Sequence, residues 1–258
     1  MILPLRADEP AGPPSAPLLV LGPSLGTSTE LWDEAAAFLP KFRLLRWDLP
    51  GHGRSAPASS AFSVADLADA VLALVDSLGE ASVGYAGVSL GGAVGLELAL
   101  RHPDRVRALS VVCSGARIST PDAWTARAAV VRSEGTASLI DASAGRWFAP
   151  GALERIPDIT SRLLATLAEV DDESYARCCE ALADYDVAAL LPEIERPVQA
   201  VWAEFDRVAP RASAEEVAIG VRSGRSARVA AASHLAVAER PDAVASLIDA
   251  FVTEAVAA

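Results

Sequence analysis

Hydrophobic residues along the chain form either short unbroken runs or longer stretches in which apolar positions recur every three or four residues. Unbroken runs bounded by Gly, Pro or charge are typical of parallel strands that are buried on both faces. Six such runs predict strands at 17–22, 42–48, 82–88, 108–114, 197–203 and 226–232. Amphipathic stretches predict helices at 30–39, 64–78, 90–101 and 238–256. This alternation predicts an α/β fold with a mostly parallel, doubly wound sheet.

One long interval of the chain contains no strand-like run. Between the fourth and fifth predicted strands, four helical stretches follow one another at 121–133, 136–148, 157–169 and 172–190. An all-helical segment between two strands of a sheet is most simply a lid. We therefore expect an α/β core formed by residues 1–115 and 193–258, and a helical cap formed by residues 116–192.

Composition and charge narrow the range of functions. The 258 residues include 34 acidic and 22 basic side chains, which gives a net charge of −12. This balance argues against a nucleic-acid partner, which needs a basic patch to neutralise phosphates, and against binding to anionic membrane surfaces. The most apolar stretch, 83–100, contains Glu97 and several glycines, so no transmembrane span is predicted.

The N-terminal stretch and the cysteines indicate a compartment. The sequence MILPLRADEP lacks the charged head and the long apolar run of a signal peptide. Cys113, Cys178 and Cys179 predict no disulfide framework, because their number is odd and two of them are adjacent. A reducing cytoplasm is the simplest interpretation. No spacing of His or Cys predicts a metal site, and no pattern indicates an oligomeric state.

The sequence GVSLGG at 87–92 is the sharpest local motif. It matches G-x-S-x-G and lies between a predicted strand and a predicted helix. In this context the motif predicts a sharp turn that holds a nucleophilic serine above the sheet, where Gly87 and Gly91 let strand and helix approach closely. Ser89 is therefore the predicted nucleophile. The N–H of Leu90 is predicted to point at the oxyanion that forms on attack.

A nucleophilic serine needs a general base, and the chain contains three histidines. His102 lies at the end of a predicted helix. His52 and His234 both follow predicted strands, which is where α/β sheets place their active sites. The chain order of serine, acid and histidine selects His234 as the base.

The acid is expected between Ser89 and His234 in sequence, in the loop after the fifth predicted strand. Asp206 lies in this loop and is the predicted acid, with Glu204 as the local competitor. It would hold the imidazole in the required tautomer and stabilise the imidazolium. The loop after the first predicted strand is expected to supply the second oxyanion donor, the N–H of Leu25.

These residues are together those of the α/β-hydrolase fold, and longer segments resemble one of its families, the 3-oxoadipate enol-lactonases. SLGTSTELWD at 24–33 resembles the family segment S-L-G-T-x-x-x-x-W. AASHLAVAERP at 231–241 resembles the family segment A-x-H-L-x-x-x-E-x-P. The segments 116–135 and 146–151 resemble the family's lid, and 175–186 resembles the helix that leads back to the sheet. The resemblance thus covers nearly the whole chain.

Two features depart from the family pattern. The family commonly has Asn before S-L-G-T, whereas this chain has Pro23, which offers neither an N–H nor a side-chain amide. The fold usually opens with an antiparallel hairpin, but only residues 1–16 precede the first long strand. One edge strand is therefore expected to be missing or irregular.

The resemblance implies hydrolysis of 3-oxoadipate enol-lactone to 3-oxoadipate, a late step of aromatic degradation in the β-ketoadipate pathway, without a metal or organic cofactor. This substrate carries a free carboxylate, and a pocket that buries an anion needs a cation, ideally a guanidinium. By resemblance, Arg146 with Trp147 is the first choice for substrate contact. Arg127 and Trp124, also in the lid, are the next candidates.

Two alternatives to this function stay open. The first is another small-ester, lactone or C–C bond hydrolase on the same scaffold, because fold does not fix function. The second is a non-catalytic module that binds small molecules. Such a module would need no nucleophile, acid and base, whereas this chain has all three in the expected order.

Overall fold

A mostly parallel sheet forms the centre of the computed structural model, which describes Leu3 and residues 5–257. Its strands within the described residues are β1 (Arg6–Ala7), β2 (Leu18–Gly22), β3 (Arg43–Asp48), β4 (Val83–Val88), β5 (Val106–Val112), β6 (Val198–Ala203) and β7 (Gly224–Val229). They lie in the order β1-β3-β2-β4-β5-β6-β7. Strand β1 is antiparallel to β3, and every other neighbouring pair is parallel. The predicted α/β class is confirmed.

Helices flank this sheet. Those of the described residues are α1 (Asp33–Ala36), α2 (Val64–Ser77), α3 (Leu90–Arg101), α4 (Pro121–Glu134), α5 (Ile140–Trp147), α6 (Ala152–Arg155), α7 (Pro157–Glu169), α8 (Asp172–Ala183), α9 (Arg211–Gly220), α10 (Ala236–Glu239) and α11 (Pro241–Ala257). Helix α3 packs on β2, β4 and β5, α9 packs on β6 and β7, and α11 packs on β5 and β7. The central strand β4 is buried along its whole length, as its apolar run predicts.

All six predicted strands are present, but two of them lie closer to the N-terminus than predicted. The run predicted at 108–114 forms β5, which ends before Cys113 because this residue takes a positive φ of 48°. The run predicted at 226–232 forms β7. The expectation that this strand is buried on both faces was wrong, because β7 lies at the edge of the sheet with Arg225 and Arg228 exposed.

The helix predictions hold for the long amphipathic stretches and fail for weaker ones. The stretch predicted as one helix at 238–256 is divided into α10 and α11, since Pro241 cannot donate the hydrogen bond that would continue the first helix. The stretch at 30–39 forms a 3₁₀ turn and the short α1. Helix α9 was not predicted. Only Ala214 and Val217 are buried among its 10 residues, so the sequence shows a weak repeat of apolar positions.

The chain between β5 and β6 forms α4 to α8, and α4 packs along α8. Both of these helices begin with a side-chain cap. The Thr120 hydroxyl accepts a hydrogen bond from the Ala123 N–H, and the Asp171 carboxylate accepts one from the Ser174 N–H. These caps satisfy N–H groups that have no partner within their own helix.

The N-terminal edge of the sheet is irregular, as the short segment before β2 leads one to expect. Strand β1 pairs with β3 over two residues, and a single bridge joins Ala11 to Leu44. Met1, Ile2 and Pro4, which belong to the stretch compared with signal peptides, lie outside the described residues, as does Ala258. Within the described chain, no helix is both long enough and apolar enough to cross a membrane.

Candidate active site

Ser89 lies at the turn between β4 and α3 in a strained backbone conformation. Its φ is 54° and its ψ is −117°, which costs a non-glycine residue about 1–3 kcal/mol. The Ser89 N–H donates to the carbonyl oxygen of Val112 at 3.0 Å. The hydroxyl of Ser114 donates to the Ser89 carbonyl oxygen at 2.7 Å. The end of β5 and the residues after it therefore hold both backbone groups of Ser89.

Glycines let the surrounding elements approach this turn. A Cβ at Gly87 would lie 2.2 Å from the carbonyl oxygen of Gly91, and a Cβ at Gly91 would lie 2.6 Å from the carbonyl carbon of Gly22. These obstacles are backbone atoms, which cannot move aside as a flexible side chain can. The two glycines of the G-x-S-x-G motif are thus required by close packing of strand, helix and the loop after β2.

Pro23 contributes to the turn through its backbone. Its carbonyl oxygen accepts a hydrogen bond from the Gly91 N–H at 2.9 Å. The Gly91 carbonyl oxygen in turn accepts one from the Tyr85 hydroxyl at 2.9 Å. The hydrogen bond between the loop after β2 and helix α3 therefore needs neither an N–H nor a side-chain amide at Pro23.

His234 and Asp206 are in direct contact. The Nδ1 atom of His234 lies 3.0 Å from Oδ2 and 3.2 Å from Oδ1 of Asp206. The two side chains are 3% and 0% exposed. Oδ1 of Asp206 also accepts the N–H groups of Val208 and Ala209, which fixes the orientation of the carboxylate. A carboxylate at Nδ1 favours the tautomer in which Nε2 is available as a proton acceptor.

The competing candidates for acid and base lie elsewhere. Glu204 is exposed, pairs with Arg228 at 2.7 Å and accepts a hydrogen bond from the Ala231 N–H. His102 lies after α3 with its Nε2 atom 2.8 Å from Asp69. Neither residue contacts His234 through a hydrogen bond within the described chain.

The predicted nucleophile is enclosed next to this pair. With backbone and side chain taken together, Ser89 is 3% exposed and His234 is 2% exposed. Among the described residues, the hydrogen bonds of the His234 ring go to Asp206, and none joins it to the Ser89 hydroxyl. Such bonds are often long before substrate binds.

The two predicted oxyanion donors are both buried backbone groups. Leu25 is 5% exposed and Leu90 is 0% exposed. Neither N–H donates a hydrogen bond to another backbone group within the described chain. Leu90 is the first residue of α3, where N–H groups have no partner inside the helix. Buried N–H groups without a partner are rare, and an oxyanion hole requires them.

His52 supports the loop that carries Leu25, a role that the sequence analysis did not assign. Its Nε2 atom accepts a hydrogen bond from the Gly26 N–H at 3.1 Å, and its Nδ1 atom lies 2.9 Å from the Pro50 carbonyl oxygen. The ring stacks on Tyr175 of α8, with ring centroids 6.2 Å apart. Burial lowers the pKa of His52 to about 4. The ring is therefore neutral at pH 7, with its proton on Nδ1.

The end of α5 lies over the loop that carries His234. The Leu235 N–H donates to the Trp147 carbonyl oxygen at 2.9 Å. The Ser233 hydroxyl lies 3.2 Å from the Arg146 carbonyl oxygen. Since Ser233 and Leu235 flank His234, these contacts place Arg146 and Trp147 directly beside the predicted base.

Three of the four predicted substrate contacts line one cavity of about 270 Å³: Trp124, Arg127 and Arg146. The guanidinium carbon of Arg127 lies 5.4 Å from the centroid of the Trp124 ring. Burial and the nearby charge of Arg127 both lower the pKa of Arg146. Trp147 instead packs on the loop after β2, where a Cβ at Gly26 would lie 3.2 Å from its ring. Ser89 does not line this cavity.

Glu239 joins the histidine loop to the segment after α5, and the sequence analysis gave it no role beyond its place in the family motif. Its carboxylate accepts the Ser233 N–H at 2.7 Å and the Ala149 N–H at 3.0 Å, and its side chain is 0% exposed. Arg155 lies 3.4 Å away. Burial raises the pKa of Glu239. The position of His234 thus depends on a buried carboxylate that is also bound by the segment after α5.

The three cysteines are buried free thiols. Burial raises the pKa of each thiol, to about 12 for Cys179 and well above the usual value for Cys113 and Cys178. Thiols with a raised pKa carry little thiolate and are poor nucleophiles. No group of three or more His, Cys, Asp and Glu residues in the described chain is arranged to hold a metal ion.

A family model described as the alpha/beta hydrolase fold matches residues 17–138. The sheet order and the serine turn between β4 and α3 agree with this match. The fold and the site together define the class of the protein as an α/β-hydrolase.

Known proteins narrow this class. The 3-oxoadipate enol-lactonase 2 of Acinetobacter baylyi is 33% identical over 246 residues, which cover 95% of this chain and 89% of that protein. The crystal structure of the enol-lactonase from Burkholderia xenovorans LB400 is similar, with a TM-score of 0.91, 34% identity and coverage of 96% and 95% of the two chains. A pimeloyl-[acyl-carrier protein] methyl ester esterase of Neisseria meningitidis is 30% identical, covering 88% of this chain and 90% of that protein. This chain belongs to the 3-oxoadipate enol-lactonase family, which confirms the predicted family and the predicted enzyme class, a hydrolase acting on ester bonds.

The buried state of His52 predicts a pH dependence of stability. Because the pKa of His52 is lowered from 6.5 to about 4, the unfolded chain binds a proton below pH 6.5 that the folded chain does not bind until about pH 4. Stability therefore falls as the pH falls through this window, by up to about 3 kcal/mol from this group. His52→Gln keeps an acceptor near Gly26 and removes the titration. Urea unfolding between pH 7 and pH 4 should show the variant losing less stability than wild type, and parallel curves would contradict this account.

Proposed function

We propose that this protein opens 3-oxoadipate enol-lactone to 3-oxoadipate, a late step of aromatic degradation, as a serine hydrolase. The observation that carries the substrate assignment is the pair Arg127 and Arg146, which lie in one lid cavity and form no ion pair with a carboxylate of the described residues. Arg146 lies beside the His234 loop. The names of the enol-lactonase relatives support the same substrate.

In the proposed reaction, Ser89 is the nucleophile, His234 is the general base and Asp206 orients the imidazole. Nε2 of His234 takes the proton of the Ser89 hydroxyl as Oγ attacks the lactone carbonyl carbon. The N–H groups of Leu25 and Leu90 hold the resulting oxyanion, and the loss of one such donor costs about 10²- to 10³-fold in rate.

Collapse of this tetrahedral species breaks the bond between the carbonyl carbon and the ring oxygen. The ring oxygen leaves as an enolate and takes the proton from His234, and the enol then tautomerises to the ketone. A water molecule, deprotonated by His234, attacks the acyl group on Ser89. This second attack releases the new carboxylate and restores the serine hydroxyl.

The free carboxylate of the substrate is proposed to bind Arg127 and Arg146, with Trp124 and Trp147 as apolar walls. Burial lowers the pKa of Arg146, and the repulsion between the two guanidinium groups in this half-buried cavity lowers it further. An anionic ligand relieves this repulsion. In a chain with a net charge of −12, such a site must act locally rather than through the field of the whole protein.

Hydrolysis of another small ester, lactone or C–C bond is the second candidate, and the similarity to a protein named as a methyl ester esterase favours its ester form. A neutral ester would gain nothing from Arg127 and Arg146. A non-catalytic binding module is the least supported function, because a module of that kind has no need for the strained backbone of Ser89.

Freshly generated 3-oxoadipate enol-lactone tests this proposal directly. Wild type should hydrolyse it, as followed by ultraviolet absorbance, and Ser89→Ala should lower kcat by about 10⁴- to 10⁶-fold because nucleophilic attack is lost. Folded wild-type protein that hydrolyses 4-nitrophenyl acetate and not the lactone would contradict the substrate assignment alone. Activity on neither compound would contradict the catalytic proposal as well.

The lid arginines are tested by comparing an anionic with a neutral substrate. Arg127→Gln and Arg146→Gln should each raise KM for the lactone by about 10- to 100-fold, the range expected for a lost hydrogen bond to a charged group. Turnover of 4-nitrophenyl acetate should not change. Arg132→Gln is the matched control, since Arg132 lies on the same helix as Arg127 but pairs with Glu173 and Glu180. Equal effects of all three variants would contradict the assignment.

A further inference from the structure

Most arginines in the described chain form an ion pair with a carboxylate. Those that form none are Arg6, Arg107, Arg127, Arg146 and Arg207. Three of these, Arg127, Arg146 and Arg207, line the same lid cavity of about 270 Å³. The chain has 34 acidic side chains for 22 basic ones, so carboxylates outnumber the possible partners. Three arginines without a carboxylate partner in one cavity are therefore a feature of this site and not of the composition.

Arg207 is the outermost of the three. Its side chain is exposed, whereas Arg127 and Arg146 are half-buried. It also lines a second, adjoining cavity of about 520 Å³, together with Asp206 and Ser233. Arg207 thus stands between the arginine-lined cavity and the surface beside the histidine loop.

The backbone of Arg207 is held in place although its side chain reaches solvent. The Asp206 carboxylate accepts the Val208 and Ala209 N–H groups on the far side of Arg207. On the near side, the Phe205 N–H donates to the Ala232 carbonyl oxygen at 2.9 Å. The backbone at Arg207 is therefore fixed, while its guanidinium group extends toward solvent.

The acidic residues near Arg207 do not neutralise it through an ion pair. Glu204 and Glu154 both line the larger cavity with Arg207. Glu204 pairs with Arg228 at 2.7 Å, and Asp206 is bound to His234. Glu154 lies in no ion pair, and no carboxylate of the described residues lies within ion-pair distance of Arg207, so its charge is available to a ligand or to water.

We propose that Arg207 is a specificity-determining residue that binds the anionic group of the substrate first, at the mouth of the lid cavity, before Arg146 and Arg127 bind it. The proposal rests on the proposed function only in that the substrate carries a carboxylate. A protein with a net charge of −12 repels an anion at long range. Several cations in a cleft with low-dielectric walls attract an anion locally in spite of the net charge. Such clefts concentrate the electric field and raise the rate at which the anion associates.

A pair of chromogenic esters isolates this role from lactone chemistry. Mono(4-nitrophenyl) adipate carries a carboxylate at the far end of its acyl chain, and 4-nitrophenyl hexanoate has the same chain length without the charge. At an ionic strength of about 0.01 M, Arg207→Gln should lower kcat/KM for the adipate ester about three- to tenfold. At about 1 M salt this loss should disappear, since the Debye length shrinks to about 3 Å. Values of kcat and all values for the hexanoate ester should match wild type.

Arg211→Gln is the matched control. Arg211 is exposed, lies at the start of α9 four residues after Arg207 and pairs with Glu215 at 2.6 Å. Its substitution changes the net charge equally. It should behave as wild type with both esters. An Arg207→Gln protein with unchanged kcat/KM for the adipate ester, an equal loss with both esters, or an equal loss in Arg211→Gln would each overturn the proposal.

The esters also separate this proposal from the proposed function. Neither ester requires lactonase activity, so a protein that fails on the enol-lactone still reports the selectivity of Arg207. A protein that hydrolyses neither ester would contradict the catalytic proposal, and calorimetry with hexanoate and its uncharged analogue hexanamide as ligands would then test Arg207 alone. Tighter binding of hexanoate that is lost in Arg207→Gln supports its role, and equal binding of the two ligands overturns it.

Discussion

Ser89 adopts its left-handed backbone conformation because hydrogen bonds and close packing hold it there. Its N–H and carbonyl oxygen are bound by Val112 and Ser114, and the helix that follows is tied to Pro23 through Gly91. The turn at Ser89 also begins α3 at Leu90, whose N–H is left without a partner in the helix. Packing in the rest of the fold has to offset the cost of this conformation, about 1–3 kcal/mol.

Buried polar groups also hold the other parts of the site in place. His52 holds the loop that carries Leu25, and it does so in a neutral form that burial favours. Glu239 holds the histidine loop against the segment after α5. Through these contacts the loop after β2 is hydrogen-bonded to His52, and the His234 loop is hydrogen-bonded through Glu239 to the segment after α5. Because of these hydrogen bonds, a displacement of the end of α5 would also displace the His234 loop.

The sequence was sufficient to predict the features that depend on local pattern and chain order. Apolar runs located the strands, and the motif around Ser89 located the turn. The order of the elements directed attention to Asp206 and His234, which the structure brings within 3.0 Å. The weakly periodic α9 and the exposed edge strand β7 were missed or misjudged, because their structure depends on position in the sheet more than on local sequence.

Features that depend on contacts between distant segments could not be predicted. His52 had been considered only as a candidate base, because nothing in its own loop reveals that its Nε2 atom faces Gly26. Arg207 belongs to no sequence motif. Its proposed role follows from its position in the same cavity as Arg127 and Arg146, which only the fold reveals. The roles of such residues can be inferred only when the residues that surround them in the folded chain are known.

Covalent labelling of the nucleophile tests the central claim most directly. A fluorophosphonate should add once to wild-type protein at pH 7, on the peptide that contains Ser89, as shown by intact mass and peptide mapping. Asp206→Asn should be labelled far more slowly, because the imidazole would no longer be held in the required tautomer. Wild-type protein shown to be folded by urea unfolding, yet unlabelled or labelled on another serine such as Ser114, would contradict the account.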